Sequence, residues 1–525
     1  MGITIGALIG ARLVRSAASQ TSDRAMPPGL KITTSGTVIL SFSHASDIIL
    51  VAHGLAVIVI ALRVIMMRPA TGIALSWLLL VTMLPFVGAI IYFMIGERRI
   101  GFQRERGIGD VRAEYRNIGN AETRDRLTDI DWSRHPAAAR GLDRLGRKVA
   151  GTLTVRSSTL KLVADTLEAL RAIARDVDEA KASVLMEFYI WNDGGAADDV
   201  LEAVIRASRR GVSCRVLVDA LGARPWWNGG QPQRLRDAGV ELRAALPVGF
   251  FRSFIGRSDL RLHRKIVVVD GEVAWTGSMN LVDPGFFKQG AGVGKWVDAM
   301  VRVEGAVVVL LAATMISDWI LETHEPIRDA FESAKLGPVN FHGMADIQVV
   351  PTGPGETGDG LLQMLLALIN AAQNELVLTT PYLVPDESML QALRGAAGRG
   401  VKVAVIVPKR VDSFLTRYAS RSYYDSLLEM GAEIYLYRGG LLHTKSIMVD
   451  GQMAMFGTVN LDMRSLWLNY EVTLFVYDDV FAADLRALQR TYIGDSDRLD
   501  LAIWRTRSFE QRFVENTLRL VSPLL

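Results

Sequence analysis

Apolar and polar positions follow three different rhythms along this chain, and each rhythm predicts a different kind of element. Between Ile48 and Met67 the apolar residues are interrupted only by His53 and Arg63, and from Ile73 to Ile95 a run of 23 residues carries no charge. The second run is long enough to cross a bilayer with some tilt, and the first is long enough if Arg63 snorkels to the interface. Arg68 to Gly72 is then a tight link in a transmembrane helical hairpin covering residues 48–95. The soluble alternative, a buried helical pair, is disfavoured because uncharged runs this long are rare in globular cores. Within the hairpin, His53 is expected to be satisfied by the neighbouring span.

Beyond Ser158 the rhythm switches between helical and strand periods, and does so twice in the same order. A helical pattern from Leu160 to Ala180 precedes a β-rich run from Val184 to Trp191. A helix from Ala197 to Arg209, a strand from Ser213 to Asp219 and a strand opening at Gly239 follow. The second round has a helix at Leu361–Gln373, a strand at Leu376–Val384, a helix at Met389–Arg399 and a strand at Val401–Val407. Tyr189 pairs with Tyr382, the Arg-Arg-Gly-Val ending at Val212 with the Gly-Arg-Gly-Val ending at Val401, and Gly239-Val-Glu with Gly431-Ala-Glu. The pattern predicts two similar α/β halves, residues 159–340 and 341–525, related by a pseudo-twofold with the active site on their seam. Residues 96–158 form a basic connector, and the structure of residues 1–47 is not legible; their short apolar run lacks the basic start of a cleaved signal.

The rhythm carries chemistry at one place in each half. Leu262–Asn280 reads LHRKIVVVDGEVAWTGSMN and Leu442–Asn460 reads LHTKSIMVDGQMAMFGTVN. His, Lys, Asp, Gly and the final Gly-Ser/Thr-x-Asn recur at identical spacing, and His263 and His443 are two of only seven histidines in the chain. Period-two alternation puts His263 and Lys265 on one face of a strand, and Asp270-Gly271 and Asp450-Gly451 turn the chain into the next one. A neutral imidazole can attack phosphorus or carry a proton, while an ammonium and amide or hydroxyl donors hold phosphate oxygens. Lys265, Lys445, Ser278, Asn280, Thr458 and Asn460 are the candidate phosphate-holding groups. Asp298 and Glu471 occupy corresponding places after each motif and are candidates to fix the tautomer and orientation of the histidines. Asp270 and Asp450 either fix the site through hydrogen bonds or simply form the Asp-Gly turns.

Composition narrows this reading. The length of 525 residues implies more than one core, and half of the residues are hydrophobic. A net charge of +3 argues against a broad nucleic-acid surface. The single cysteine, Cys214, sits in an apolar strand-like run and is expected in the core, so no intramolecular disulfide and no thiol metal cluster are expected. No His/Cys/Asp cluster has metal spacing, and the Lys288–Lys295 loop (KQGAGVGK) lacks the strand and helix a phosphate loop needs. Arg98, Arg99, Arg104, Arg106 and Arg112 follow the second span, against Arg63 and Arg68 in the hairpin, which predicts a cytoplasmic C-terminal part. The extra first-half segment Ala245–Asp259, with Phe250, Phe251, Phe254 and Ile255 beside Arg252 and Arg257, suits either a membrane interface or a core. Trp226-Trp227 has the same two readings.

The duplicated H-x-K-x4-D motif resembles that of the phospholipase D superfamily, over about Thr159 to the C-terminus. Gly96-Glu97-Arg98-Arg99, LLHTKSIMVDG, GTVNLDMRS, Trp467-x-Asn469-x-Glu471 and the terminal SPLL are similar to the bacterial cardiolipin synthases within it. The resemblance implies two phospholipase D-like halves and catalysis by His263, Lys265, Asp270, His443, Lys445 and Asp450 without cofactor or metal. It implies a multi-pass protein of the bacterial inner membrane, with phosphatidylglycerol and anionic lipids as partners and no nucleic acid. It further implies transfer of a phosphatidyl group between two phosphatidylglycerols through a phosphohistidine, with His263 as nucleophile and His443 as acid/base or the reverse. A hydrolytic phospholipase, another phosphatidyltransferase and a non-catalytic module binding anionic lipid are the other readings.

Overall fold

In the computed structural model the structure describes residues 30–32, 38–40, 45–69, 71–96, 127–247, 257, 259–337, 341–355 and 358–520. The arginines at 98–112, most of the aromatic insertion (248–256) and the terminal SPLL lie outside the described residues. The chain divides into two compact units, Met1–Glu97 and Arg98–Leu525.

In the first unit, Leu30–Ile32 and Val38–Leu40 form a small antiparallel pair. Helix α1 (Ala45–Met67) contains the stretch Asp47–Met67, which is long and apolar enough to cross a membrane. Its outward face carries Ile48, Leu50, Leu55, Leu62 and Met66, all exposed, while Ile60 and Val64 pack against Val81, Ala89 and Tyr92. An apolar face exposed over this length is what a membrane-crossing helix requires. His53 lies against the neighbouring segment, with Nε2 3.4 Å from the Thr82 carbonyl.

The second apolar run departs from the single span predicted. Helix α2 covers only Thr71–Met83, and the chain then bends through Leu84 and Pro85, with Phe86 at φ 57°, before Val87–Ile91 and a π-helical turn at Tyr92–Gly96. Pro85 is the cause: its ring removes an amide donor and clashes with the preceding turn, which absence of charge does not reveal.

The second unit is built on one 16-stranded sheet. The first half supplies β1 (Thr154–Val163), helix α3 (Thr166–Glu179), β2 (Ser183–Phe188), α4 (Ala196–Arg209), β3 (Ser213–Asp219), β4 (Glu241–Ala245), β5 (Arg261–Leu262), β6 (Ile266–Val269), β7 (Val273–Gly277), β8 (Trp296–Val297), β9 (Met300–Gly305) and α5 (Val307–Thr323). The second half supplies β10 (Ala345–Thr352), α6 (Gly360–Ala371), β11 (Glu375–Thr379), α7 (Glu387–Gly398), β12 (Lys402–Pro408), β13 (Glu433–Tyr437), β14 (Leu441–Leu442), β15 (Ser446–Val449), β16 (Met453–Gly457), β17 (Asn469–Tyr477) and α8 (Asp479–Gly494).

The main strand order is β4-β3-β2-β6-β7-β9-β1, then β10-β17-β16-β15-β11-β12-β13. The second list mirrors the first, so the pseudo-twofold falls between β1 and β10, which pair antiparallel through a bulge near Ala345. β1 takes Leu160–Val163 out of the helix expected to begin there; β-branched neighbours and the ladder to β9 override the local helical spacing. The strand expected from Leu376 to Val384 likewise divides into β11 and a separate pairing at Leu383–Val384.

Cys214 is buried in β3, as expected, and its thiol is pushed up to about 12 by burial. Trp226 is buried and stacked on Trp191 at 4.7 Å in the core of the first half, while Trp227 is half-buried at its edge.

Candidate active site

Each motif crosses from one half's ladder to the other's. β5 pairs in parallel with β17 of the second half, Leu262 opposite Tyr470, and the His263 amide donates to the Tyr470 carbonyl at 2.8 Å. β14 pairs in parallel with β8 of the first half, Leu442 opposite Val297, and the His443 amide donates to the Val297 carbonyl at 2.8 Å. The chain then steps back into its own half at β6 or β15. His263-Arg264-Lys265 is therefore a step between two short strands, in contrast to the continuous strand that alternation predicted, because the two strands bond to different halves.

This crossing fixes which carboxylate meets which histidine. His263 Nδ1 lies 2.8 Å from Glu471 Oε2 of the second half, and His443 Nδ1 lies 2.7 Å from Asp298 Oδ1 of the first. Each orienting acid is thus supplied by the opposite half. All four groups are buried. An ionised carboxylate only accepts, so Nδ1 carries the proton and Nε2 keeps its lone pair.

Ser278 and Thr458 complete the clamps. Ser278 Oγ donates to Asp298 at 2.6 Å, and Thr458 Oγ1 donates to Glu471 at 2.5 Å. Their hydroxyl hydrogens are directed at the carboxylates, a different placement from the phosphate contact expected. The preceding glycines permit it: a Cβ on Gly277 would come within 2.6 Å of the Ala299 carbonyl, and one on Gly457 within 2.4 Å of the Val472 carbonyl. Asn280 accepts the Ile190 amide at 3.2 Å, while the buried Asn460 Oδ1 has no hydrogen-bond partner among the described residues.

Lys265 and Lys445 are buried and donate to the carbonyls of His263 (2.6 Å) and His443 (2.5 Å). Burial lowers both ammoniums, Lys265 to about 8 and Lys445 to about 7, against the upward pull of the site carboxylates. Burial likewise lowers both imidazoles to about 4 despite their carboxylates, and both lysines push further in that direction. That each lysine acts on both histidines puts the two motifs in one electrostatic site. Burial alone would raise Asp298, but the His443 contact and Lys445 carry it down to about 2; Glu471 is lowered by its His263 contact in the same way.

Asp270 and Asp450 are not brought to the imidazoles. Asp270 accepts the amides of Lys181, Ala182 and Ser183 at 2.7–2.8 Å, and Asp450 those of Gln373, Asn374 and Glu375 at 2.8 Å. Both sit in left-handed turns (φ 54° and 52°) at the far end of the four-residue strand after each lysine. They fasten the motif strand to the start of its neighbour, as hydrogen-bonded residues of the Asp-Gly turns.

The repeat pattern gave no site role to several neighbours of the site, Tyr189 being noted there only as a landmark of the repeat. The Tyr189 ring packs edge-on against His263 at 5.0 Å, and Trp296 packs against His443 at 4.5 Å. Glu187 on β2 acts on Lys265 electrostatically. Arg264, inside the motif, reaches the Glu471 carbonyl at 2.9 Å and forms a buried ion pair with Asp318 of α5. Its charge at a variable motif position was the available signal.

Residues 173–304 and 365–491 each match the family described as cardiolipin synthase, PLD-like domain, and residues 55–97 match a phospholipase D-nuclease N-terminal family. The chain is 43% identical over 490 residues to cardiolipin synthase A of Erwinia tasmaniensis, spanning 92% of this chain and 99% of that one. It is 42% identical to cardiolipin synthase A of Serratia proteamaculans over 467 residues, spanning 89% and 96%. The crystal structure of phosphatidylserine synthase from Haemophilus influenzae shares the fold, with a TM-score of 0.56 at 15% identity over 73% of this chain and all of that one. With both motifs intact on a mirrored sheet and relatives matched over nearly their full length, the chain belongs to the cardiolipin synthase family of phospholipase D-like proteins.

Proposed function

We propose that this chain is a membrane-bound phosphatidyltransferase that joins two phosphatidylglycerols into cardiolipin and releases glycerol. The observation that carries the reading is the crossed pair of buried, carboxylate-clamped imidazoles sharing a site with two lysines. One imidazole attacks phosphorus through its free Nε2; the P–N bond forms, the P–O bond to glycerol breaks, and the other imidazole delivers a proton to the departing oxygen. That imidazole then takes a proton from a hydroxyl of the second phosphatidylglycerol, whose oxygen displaces the histidine nitrogen. Lys265 and Lys445 hold the phosphate oxygens, and Ser278 and Thr458 act one step back by holding Asp298 and Glu471 in place. The near symmetry allows either histidine to be the nucleophile. The anionic phosphate itself raises the proton affinity of the second imidazole, so that a group neutral in the empty site can serve as an acid.

The first unit is read as the anchor, with α1 and the proline-bent segment after it embedded in the bacterial inner membrane. The arginines after residue 97 favour a cytoplasmic catalytic unit. Single cysteines at Gly109 and Ser496, in a Cys214→Ser background, are expected to resist impermeant thiol reagents in intact cells. Labelling without permeabilisation would reverse that orientation.

The direct test is the purified full chain in vesicles containing labelled phosphatidylglycerol. Cardiolipin and glycerol are expected in equal amounts; phosphatidic acid as the main product would make the chain a hydrolase instead.

A further inference from the structure

The two halves differ in the stretch between each motif and its orienting acid. Eighteen positions separate Asn280 from Asp298 and eleven separate Asn460 from Glu471, so the first half carries seven extra residues there. They belong to the glycine-rich loop that the repeat leaves unexplained. The loop does not stay with its own half. The Lys288 ammonium lies 3.2 Å from the Asp412 carboxylate, Arg410 donates to the Gly292 carbonyl at 3.4 Å, and the Leu441 amide donates to the Lys295 carbonyl at 2.9 Å. The approach is closest at Gly440, where a Cβ would come within 2.2 Å of the Lys295 carbonyl. Val293, Trp296 and Leu441 form a small buried cluster across the seam, with Phe287 packed against it.

These groups stack outward from one imidazole. The Trp296 ring lies against His443 at 4.5 Å, Phe287 meets Trp296 edge-on at 5.1 Å, and the Lys288 ammonium stands 5.4 Å from the centre of each ring. His443 and Trp296 are buried, Phe287 is half-buried and Lys288 is exposed, so the stack runs from the site to solvent. From Lys288 the contacts lead back to the other imidazole. Asp412 accepts from the Tyr382 hydroxyl at 2.8 Å, Tyr189 acts on Tyr382 electrostatically, and Tyr189 packs on His263 at 5.0 Å. A rim of side chains thus joins His443 to His263, and the Lys288–Asp412 pair closes it across the seam. The second half builds no such stack: two residues before its acid it has Asn469, which donates to Glu471 at 3.1 Å, where the first half has Trp296.

We infer that residues 287–296, latched to Asp412 through Lys288, form a wall that selects the acceptor by keeping water from the phosphohistidine, so that a lipid hydroxyl completes the transfer. This rests on the reading of the chain as an enzyme that joins two phosphatidylglycerols. In the second step an oxygen attacks phosphorus, the P–N bond breaks, and the other imidazole takes the proton of the attacking hydroxyl. A lipid hydroxyl gives cardiolipin and water gives phosphatidic acid. The histidines and lysines act alike on both, because each acceptor offers them the same O–H. Discrimination therefore falls to the walls of the site. Aromatic faces give water little to bond to, whereas the glycerol carbons of a lipid headgroup gain apolar contact there.

The test follows both products in the full chain reconstituted with phosphatidylglycerol. Each turnover releases one glycerol whichever acceptor wins, so glycerol release reports the first step and the ratio of phosphatidic acid to cardiolipin reports the second. Phe287→Ala is expected to raise that ratio roughly tenfold while glycerol release stays within about threefold. Phe287→Leu should restore most of the preference for lipid. Lys288→Met changes an exposed side chain without removing core packing, and its loss of the latch is expected to raise the ratio about threefold. Retained glycerol release shows that a variant is folded. An unchanged ratio in both Phe287→Ala and Lys288→Met would overturn the wall, whether or not total turnover fell. A wild-type chain that makes mainly phosphatidic acid would instead overturn the underlying reading.

Discussion

The two halves share one strand order, one set of reacting groups and the same Asp-Gly fasteners, yet other contacts around those groups differ. In the second half β17 runs unbroken through Glu471, whereas its counterpart is interrupted at Asp298-Ala299 between β8 and β9. Glu471 is held by His263, Thr458 and, through its other oxygen, Asn469 at 3.1 Å. Asp298 is held through one oxygen, and the other is buried without a hydrogen-bond partner among the described residues. After His263 comes Arg264, tied to Asp318 of α5; after His443 comes Thr444, 3.2 Å from the Tyr492 hydroxyl. Duplication kept the groups that act on phosphorus from two sides together with their hydroxyl clamps and Asp-Gly fasteners, and released other supports. The difference also separates positions needed twice from positions free to specialise.

The sharpest way to break the comparison is at the imidazoles. His263→Ala and His443→Ala are each expected to lower turnover by about 10⁴-fold or more, and the double variant to be little worse, because the two act as a unit. Near-normal turnover from either single variant would end the two-histidine mechanism.

The crossed carboxylates come next. Glu471→Gln and Asp298→Asn are expected to cost roughly 10²–10⁴-fold in kcat, since an amide leaves the wrong tautomer at Nε2. In quenched-flow experiments Glu471→Gln should impair the same step as His263→Ala, and Asp298→Asn the same step as His443→Ala. The opposite grouping would refute the crossed pairing.

The lysines tie activity to stability. Lys445→Met is expected to lower kcat/KM by roughly 10²–10³-fold while raising the melting temperature of the catalytic unit. The sign follows from the pKa: burial lowers this ammonium to about 7, so folding opposes its charged form, and the destabilisation is largest below that pH. In the wild type, loss of charge from Lys445 (about 7) and Lys265 (about 8) should make activity fall as pH rises through 7–8. A rate that is flat to pH 9 would show that the lysines need not be charged.

Smaller effects distinguish the supports. Asp318→Asn breaks a buried ion pair and is expected to destabilise the catalytic unit by about 3–5 kcal/mol, whereas Thr444→Val should cost about 1 kcal/mol, both read by chemical denaturation. Asp270→Ala and Asp450→Ala, which leave three amides without their acceptor, should lower stability by about 1–3 kcal/mol and leave kcat nearly unchanged in whatever remains folded. A loss of kcat comparable to that of the lysine variants would return these aspartates to the reaction.

The sequence alone determined the two-half α/β architecture and both motifs, and singled out Asp298 and Glu471, because repeated spacing survives without any knowledge of contacts. It also marked a stretch long and apolar enough to cross a membrane, since the absence of charge over such a length is a statement about solvent. Local rhythm was less able to place Leu160–Val163, where the ladder to β9 outweighs helical spacing, or to register Pro85 as a break in an otherwise uniform run. Only the tertiary structure decided that Glu471 serves His263 and Asp298 serves His443. That pairing arises from short parallel ladders, β5 with β17 and β14 with β8, between residues about two hundred and one hundred and fifty positions apart. It also decided that Ser278 and Thr458 face carboxylates and that Asp270 and Asp450 bind backbone. A hydroxyl or carboxylate has the same identity whichever way it points, and the direction is set by packing across the seam, which spacing along one chain does not encode.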